Sequence, residues 1–227
     1  RKFHLNGFNV IIHCNQSVED AWLLANELNE IRDDSATVLT ADLTREEQVL
    51  DMAKKVPECF GPLAVLVNNA SGFYPTPFGE VTSRQWHDLM DSNLKAAFFL
   101  VQALAGQIRQ QQGAVVNLID IYAAAPLKNY AVYSIAKAGL KAMTRALALE
   151  LAPQVRVNGV SPGAIIWPSG QEGIPLANSK ESIIETIPLG RFGAAEEIAE
   201  AVLFLAVGAS YVTGETIRVD GGRALNL

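Results

Sequence analysis

Short apolar runs alternate with longer segments of helical periodicity along almost the whole of this chain of 227 residues. The apolar runs, which we predict to be strands, lie at residues 8–13, 36–41, 63–67, 114–119, 155–160 and 216–219. The longer segments predict helices at residues 18–31, 45–60, 83–111, 134–152 and 194–207. Alternation of buried strands with helices predicts a parallel sheet that is covered by helices on both faces. We therefore expect residues 1–227 to form a single α/β domain with a doubly wound parallel sheet.

Composition and charge argue against several classes of protein. Hydrophobic residues make up 49% of the chain and the net charge is −6, so we expect a sizeable core and no nucleic-acid partner. No run of about eighteen apolar residues occurs, so we expect no membrane span. Cys14 and Cys59 lie far apart, which is typical of a reducing, cytoplasmic compartment. The histidines have no metal-ligand spacing with these cysteines, so we expect no bound metal.

Tyr133 and Lys137 are the residue pair with the clearest chemical potential. They are four positions apart, so on a helix they lie on one face, about one turn from each other. Because an ammonium group favours the phenolate, we expect Lys137 to lower the pKa of Tyr133 and make it a general acid or base nearer neutral pH. On most helices such a pair is half-exposed and has no chemical role, so the spacing alone predicts little.

Small and polar residues follow four of the predicted strands. Residues 15–17, 68–71 and 161–165 each follow a strand, and Asp120 ends another. In parallel sheets ligands bind beyond the carboxyl ends of the strands, where the strand order reverses. These loops therefore predict a cleft for an extended ligand.

Five motifs occur in a fixed order and cover essentially the whole chain. They are Asn68-Asn69-Ala70, Asn93, Tyr133-x-x-x-Lys137, Ser161-Pro162-Gly163, and Thr213-Gly214 followed by Val219-Asp220-Gly221-Gly222. With this set the chain resembles the short-chain dehydrogenase/reductase family. The resemblance implies a Rossmann-like domain that moves a hydride between NAD(P)H and a substrate, usually a carbonyl compound.

The resemblance also implies roles for individual residues. Tyr133 would donate the proton, Lys137 would tune the phenol and hold the nicotinamide ribose, and Asn93 would fix a water behind Lys137 in a proton relay. From the sequence alone, Asn93 equally fits a buried asparagine that is satisfied by backbone. The residues implied to bind the cofactor are Asn15, Gln16, Ser17, Asp42, Leu43, Asn69, Ala70, Ser71, Tyr133, Lys137, Pro162, Gly163 and Ile165.

The start of the chain departs from the family pattern. The family opens with a strand and a glycine-rich turn that would cradle the cofactor pyrophosphate at a helix N-terminus. Here residues 1–6 instead resemble the end of a helix that is stopped by Gly7. Loss of that strand would leave its neighbours in the sheet unpaired. We therefore expect roughly twenty further residues ahead of Arg1; the alternative is a broken protein.

Asp120 is the second departure, because the family normally carries a serine at this distance before the tyrosine. Together with Ser71 and Phe73, it makes the chain resemble the pteridine reductase branch. There Asp120 would hydrogen-bond to Tyr133 and relay protons, Phe73 would stack on the pterin, and Ser71 would contact pterin and cofactor. The implied reaction is NADPH-dependent reduction of a C=N bond of a pterin, dihydropterin or folate. The alternatives are an aspartate that caps the next segment, or a reductase with another substrate.

The end of the first predicted strand favours NADPH over NADH. NAD-dependent enzymes place a carboxylate there for the ribose 2′-hydroxyl, whereas residues 15–17 are Asn, Gln and Ser, with no carboxylate before Glu19. A 2′-phosphate would therefore not be repelled. Its positive partner is expected in the segment ahead of Arg1.

Two further stretches have an expected role at the cleft. Asp42 and Leu43 match the family's adenine contact, although Thr44 and Glu47 also fit a helix capping box there. Trp167 begins a Gly- and Pro-rich stretch at residues 167–175, which we interpret as a mobile lid over the substrate, with Trp167 lining the pocket.

By resemblance the protein would be a homotetramer assembled through the helices after Asn93 and Tyr133. Three functions remain open from the sequence. The first function is a pteridine reductase. The second is a carbonyl reductase of the ketoacyl or sugar type, against which Asp120 argues because a carboxylate repels a developing oxyanion unless it is protonated. The third is a non-catalytic NADP-binding sensor or scaffold, which would not need Tyr133, Lys137 and Asn93 together.

Overall fold

The structure, a computed structural model, describes residues 1–165 and 180–226 and confirms the predicted alternation of strands and helices. Its strands are β1 (Val10–Cys14), β2 (Ala36–Thr40), β3 (Val65–Asn68), β4 (Ala114–Leu118), β5 (Arg156–Pro162) and β6 (Thr216–Val219). Its α-helices are α1 (Lys2–Leu5), α2 (Val18–Ile31), α3 (Glu46–Phe60), α4 (Ser83–Met90), α5 (Ala96–Gln110), α6 (Ala131–Leu151), α7 (Lys180–Glu185) and α8 (Ala195–Leu203). Trp167 and the predicted lid lie outside the described residues.

The predicted helical region at residues 83–111 consists of α4 and α5, joined without a break by a π-helical turn, Asp91–Lys95. A capping box starts α4: the Thr82 hydroxyl accepts from the backbone N–H of Gln85, and the Gln85 side chain accepts from the backbone N–H of Thr82. None of the described helices combines the length and the apolar character needed to cross a membrane.

All strand pairs in the described ranges are parallel, but they form two sheets. β1 pairs with β2 in one sheet, and the order in the other is β3-β4-β5-β6. Within the described part of the chain, β1 and β3 each keep an edge without a strand partner. Both strands line one cleft of about 860 Å³, which we call the inter-sheet cleft. The predicted parallel sheet is therefore confirmed in its strand direction, and it is divided between β1 and β3.

Helices cover both faces of the sheets, as predicted. Along β4 the side chain of Val115 packs into a core with α3, α5 and α6, whereas Val116 and Leu118 pack into a second core with α8. This split follows from the alternation of side chains along a strand. Ile11 of β1 and Leu39 of β2 pack against the same core as Val115, so the two sheets lie side by side under a shared helical layer.

The short helix α1 ends as the sequence predicts. The backbone N–H of Gly7 donates to the carbonyl of His4, and that of Phe8 donates to the carbonyl of Phe3. This pair of bonds is a Schellman motif, and it requires the left-handed backbone that Gly7 adopts at φ 87°. The motif turns the chain directly from α1 into β1.

Candidate active site

The predicted site residues meet at the carboxyl ends of the strands. β4 leads through Ile119 to Asp120, while β3 leads to Asn69. The N-terminal half of α6 carries Tyr133 and Lys137 to the same edge of the sheet, because α6 packs against β5 and the 3₁₀ turn Ile121–Ala123. The sheet and the helix therefore place a carboxyl, a phenol and an amine together.

Asp120, Tyr133 and Lys137 lie close together, and a hydrogen bond joins Tyr133 to Asp120. The Tyr133 hydroxyl donates to Asp120 Oδ2 at 2.8 Å, which confirms the predicted contact. Asp120 Oδ1 accepts from the backbone N–H of Tyr122 at 2.8 Å, so the carboxyl also caps the turn that follows it, as its alternative interpretation expected. Lys137 Nζ donates to the carbonyl of Leu118 at 2.9 Å. Tyr133 is 4% exposed and Lys137 2% exposed, so they are not a half-exposed surface pair.

Burial dominates the electrostatics of this group. It lowers the pKa of Lys137 to about 8, against the charge of Asp120. It also raises the pKa of Asp120, although hydrogen bonds from Tyr122 and Tyr133 and the charges of Lys137 and Arg223 act in the opposite direction. The aspartate is therefore easier to protonate than an exposed one.

The expectation that Lys137 lowers the pKa of Tyr133 is wrong. Burial raises the pKa of Tyr133, and the charge and hydrogen bond of Asp120 raise it further, while a hydrogen bond with Ser71 has the opposite effect. The Lys137 ammonium lies 5.7 Å from the centre of the Tyr133 ring and is bonded to backbone, so it is not directed at the phenol oxygen. Burial and Asp120 therefore both favour the neutral phenol of Tyr133.

Asn93 lies buried in the π-helical turn, with its side-chain amide held by its surroundings. Its Nδ2 donates to the carbonyl of Leu89 at 2.9 Å and to that of Gly72 at 3.0 Å, and its Oδ1 accepts from the Ser71 hydroxyl at 2.7 Å. These contacts favour the alternative interpretation, a buried asparagine satisfied largely by backbone. Asn93 thereby fixes the segment at residues 71–72 beside Tyr133.

Phe73 lies beside Tyr133 as part of a wall of aromatic rings. Its ring stacks on Tyr130 at 4.6 Å between centroids and meets Tyr133 edge to face at 4.8 Å. Phe73 is 41% exposed, so part of its ring is accessible. The backbone N–H of Thr76 donates to the carbonyl of Asn129 and ties the Phe73 loop to the start of α6. The structure thus brings together four of the predicted substrate residues: Ser71, Phe73, Asp120 and Tyr133.

Apart from Tyr133 and Lys137, the residues predicted to bind a cofactor fall into two groups. The first group lines the inter-sheet cleft at the strand ends: Asn15, Asp42, Leu43, Asn69, Ala70 and Ser71. In the second group Gln16 and Ser17 are exposed on the turn before α2. Gly163 packs so closely against Asp220, the residue after β6, that a Cβ there would lie 2.7 Å from Asp220 Cα. Pro162 ends β5, and Ile165 packs near Gly193.

The predicted capping box at Thr44 and Glu47 is wrong. α3 begins one residue later, with Arg45 as its N-cap and no side-chain capping bond. The Thr44 hydroxyl and backbone N–H instead donate to Asp42 Oδ1, at 2.7 and 2.9 Å. These bonds lower the pKa of Asp42 and fix its carboxylate at the rim of the cleft.

Three residues of the site were not predicted. Tyr130 backs Phe73, and its position three residues before Tyr133 at the start of the same helix was a usable signal. Tyr122 and Arg223 pack together beside Asp120, with the Arg223 guanidinium carbon 5.8 Å from the Tyr122 ring centre. No local pattern joins these two residues, because they are far apart in the sequence.

Comparison with known proteins agrees with this arrangement. The sequence profile of the family described as Enoyl-(Acyl carrier protein) reductase matches residues 1–224. The chain belongs to the short-chain dehydrogenase/reductase family and is an NAD(P)-dependent reductase of that family.

Two kinds of relative are about equally similar to the chain. Pteridine reductase 1 of Leishmania tarentolae is 36% identical over 263 positions, which cover 98% of this chain and 90% of the relative. The 3-oxoacyl-(acyl-carrier-protein) reductase FabG of Staphylococcus epidermidis strain RP62A is 35% identical over 219 positions, covering 95% of this chain and 88% of the relative. FabG of Staphylococcus aureus strain Mu50 is 36% identical with the same coverage.

Proposed function

We propose that the protein is an NADPH-dependent pteridine reductase, which reduces a C=N bond of a pterin, dihydropterin or folate. The observation that supports this proposal is the hydrogen bond of 2.8 Å between Tyr133 and the buried Asp120, next to the accessible ring of Phe73. A flat heteroaromatic ring gains area burial and stacking against such a wall. A carboxylate accepts hydrogen bonds, so it also suits a substrate ring with N–H groups better than it suits a ketone substrate, which has no such donors.

The proton path follows from the hydrogen bonding of Asp120 and Tyr133. When Asp120 is ionised, the only hydroxyl hydrogen of Tyr133 is directed at the carboxylate. When Asp120 is protonated, it donates to the Tyr133 oxygen and leaves the Tyr133 hydrogen free for the substrate. Tyr133 then protonates the ring nitrogen and takes the proton of Asp120, which is afterwards replaced from solvent. The raised pKa of Asp120 makes this protonated form accessible.

NADPH, when bound, supplies the hydride for the neighbouring ring carbon. At the carboxyl ends of β1, β2 and β3 the mouth of the inter-sheet cleft carries Asn15, Asp42 and Asn69, which offer polar contacts to the cofactor. Among the described residues that line the cleft, Arg1 is the only Lys or Arg, and it pairs with Glu27. We therefore propose that the partner of a 2′-phosphate comes from outside this lining.

Assembly and compartment are part of the proposal. α5 and α6 expose apolar side chains, with Phe98 39%, Ile135 48% and Leu149 83% exposed, and these faces support a homotetramer. Both cysteines are free, which supports a cytoplasmic location. Size-exclusion chromatography with light scattering tests the assembly directly.

The first test compares substrates in the wild type and in Asp120→Ser. NADPH oxidation is followed in the full-length protein with biopterin, dihydrobiopterin, dihydrofolate and an acetoacetyl thioester. We expect turnover of a pterin or folate that falls about 100-fold or more in Asp120→Ser, the usual size of a lost proton carrier. Asp51→Ser removes an exposed carboxylate on α3 as a control and leaves the rate unchanged.

A ketoacyl reductase is the second candidate, and the FabG relatives favour it. Turnover of the thioester alone, kept or increased in Asp120→Ser, would replace the first proposal with this one. NADPH binding without turnover of any of these substrates would favour a sensor or scaffold.

A further inference from the structure

Arg223 is a buried cation at the edge of the sheet that carries the site. It begins the 3₁₀ turn Arg223–Leu225 after β6 and is 8% exposed. Asp220 fixes this turn, because its carboxylate accepts from the backbone N–H groups of Gly222 at 3.0 Å and Ala224 at 2.9 Å. The close packing of Asp220 against Gly163 ties the turn to the end of β5. The position of Arg223 is therefore fixed by the carboxyl ends of β5 and β6.

The guanidinium of Arg223 is directed toward the loop that carries Asp120. Its central carbon lies 5.8 Å from the centre of the Tyr122 ring, within cation–π range, and it hydrogen-bonds to the Tyr122 side chain. The backbone N–H of the same Tyr122 donates to Asp120 Oδ1 at 2.8 Å. The charge of Arg223 also lowers the pKa of Asp120, against the larger effect of burial.

We propose that Arg223 is a positioning residue of the site, which holds Tyr122 and thereby the Asp120 loop, and which supplies Asp120 with a constant positive field. Among the described residues, the titratable and charged groups that face Asp120 are Tyr122, Tyr133, Lys137 and Arg223. Burial lowers the pKa of Lys137 to about 8, so its charge is lost within the working range of many enzymes. An arginine keeps its charge throughout that range.

The inference rests on the proposed role of Asp120 as the proton carrier, and its test needs no substrate. The carboxyl carbon of Asp120 is titrated by ¹³C NMR in the full-length protein, with Asp120→Asn to identify the signal. Arg223→Met removes the charge and keeps an apolar side chain of similar length. Arg218→Met is the matched control, because Arg218 is an exposed arginine on the preceding strand.

We expect Arg223→Met to raise the titration midpoint of Asp120 by about one pH unit, the size of effect of one opposite charge at short range. Arg223→Lys, which keeps the charge, restores most of the shift, and Arg218→Met leaves the midpoint unchanged. If the methionine variant does not fold, Arg223→Gln gives the same comparison with a polar side chain.

An unchanged midpoint in Arg223→Met or Arg223→Gln overturns the inference, and so does an equal shift in Arg218→Met. A shifted midpoint without turnover of any pterin or folate keeps the inference and overturns the proposed function. The two failures are therefore distinguishable.

Discussion

At the scale of single residues, a backbone hydrogen bond and burial restrict the Lys137 ammonium, although its position beside Tyr133 suggests that it could reach the phenol. Its ammonium is committed to the carbonyl of Leu118 at 2.9 Å and is buried below α6. The charge of Asp120 raises the pKa of Lys137 but does not offset burial. The lysine therefore acts through its charge on the whole site rather than through one bond to the phenol.

This arrangement predicts a pH limit on activity. Because burial lowers the pKa of Lys137 to about 8, the lysine is charged below that pH and neutral above it. We expect kcat/KM to fall as the pH rises through about 8, since this profile reports the groups of the free enzyme. In Lys137→Arg the fall moves to higher pH, because arginine stays charged. A profile that is flat to pH 9.5 in the wild type would contradict the assignment.

Part of the site was predictable at this scale, and part was not. Tyr133, Lys137 and Asp120 were found because their spacing matches a family motif, and the contact between Tyr133 and Asp120 is confirmed. The direction of the pKa shift of Tyr133 was wrong, because burial is a property of the folded chain and outweighs a neighbouring charge. Arg223 was missed because its contact with Tyr122 joins the C-terminal part of the chain to its middle, and no local pattern links the two.

At the scale of elements, the position of β4 depends on a close approach between backbones. Gly113 immediately precedes β4, and a Cβ on it would lie 1.9 Å from the carbonyl oxygen of Ala64, which precedes β3. That same oxygen accepts the hydrogen bond of Ala114 at 3.0 Å, so neither strand can retreat without loss of pairing. The approach sets where β4 begins and hence where Asp120 lies.

We predict that Gly113→Ala lowers the free energy of unfolding by about 3 kcal/mol, since overpacking against backbone is costly. Gly106→Ala is the matched control, because Gly106 lies in α5 and a Cβ on it would have no neighbouring atom within 4 Å. It should raise the free energy of unfolding by up to about 1 kcal/mol, the helix propensity difference. Urea denaturation measures both. Equal effects of the two substitutions would show that the contact with Ala64 does not matter.

At the scale of the whole molecule, the division between β1 and β3 is the main departure from a continuous sheet. Strand and helix positions were predictable because buried parallel strands and amphipathic helices have distinct local patterns. The pairing of strands across the sheet was not predictable from those patterns, because it depends on which strands are adjacent in space. The unpaired edges of β1 and β3 both face the inter-sheet cleft, lined there by Val10, Ile11, Val65, Leu66 and Val67.

We propose that this cleft receives one more parallel strand, which leads through α1 into β1 and joins the two sheets. α1 ends directly before β1 and contacts α8 on one face of the sheet, where Lys2 pairs with Glu200 at 2.9 Å. It is thus placed to serve as the crossover of a strand–helix–strand unit. The joined sheet would have the order β2-β1-new strand-β3-β4-β5-β6, and its topological switch point would lie beside Asn15 and Asn69.

Hydrogen exchange tests this strand. Two extended versions of the chain are compared with the chain that begins at Arg1: one carries an apolar strand and a glycine-rich turn ahead of it, and the other has a proline in the middle of that strand. In the first version we expect amides of β1 and β3 to exchange at least about tenfold more slowly, because each added ladder bond contributes about 1 kcal/mol. Amides of β5, which already has a partner on each side, change little. The proline version should protect β1 and β3 less, since proline removes a ladder donor; equal protection by both versions would mean that no strand has entered the sheet.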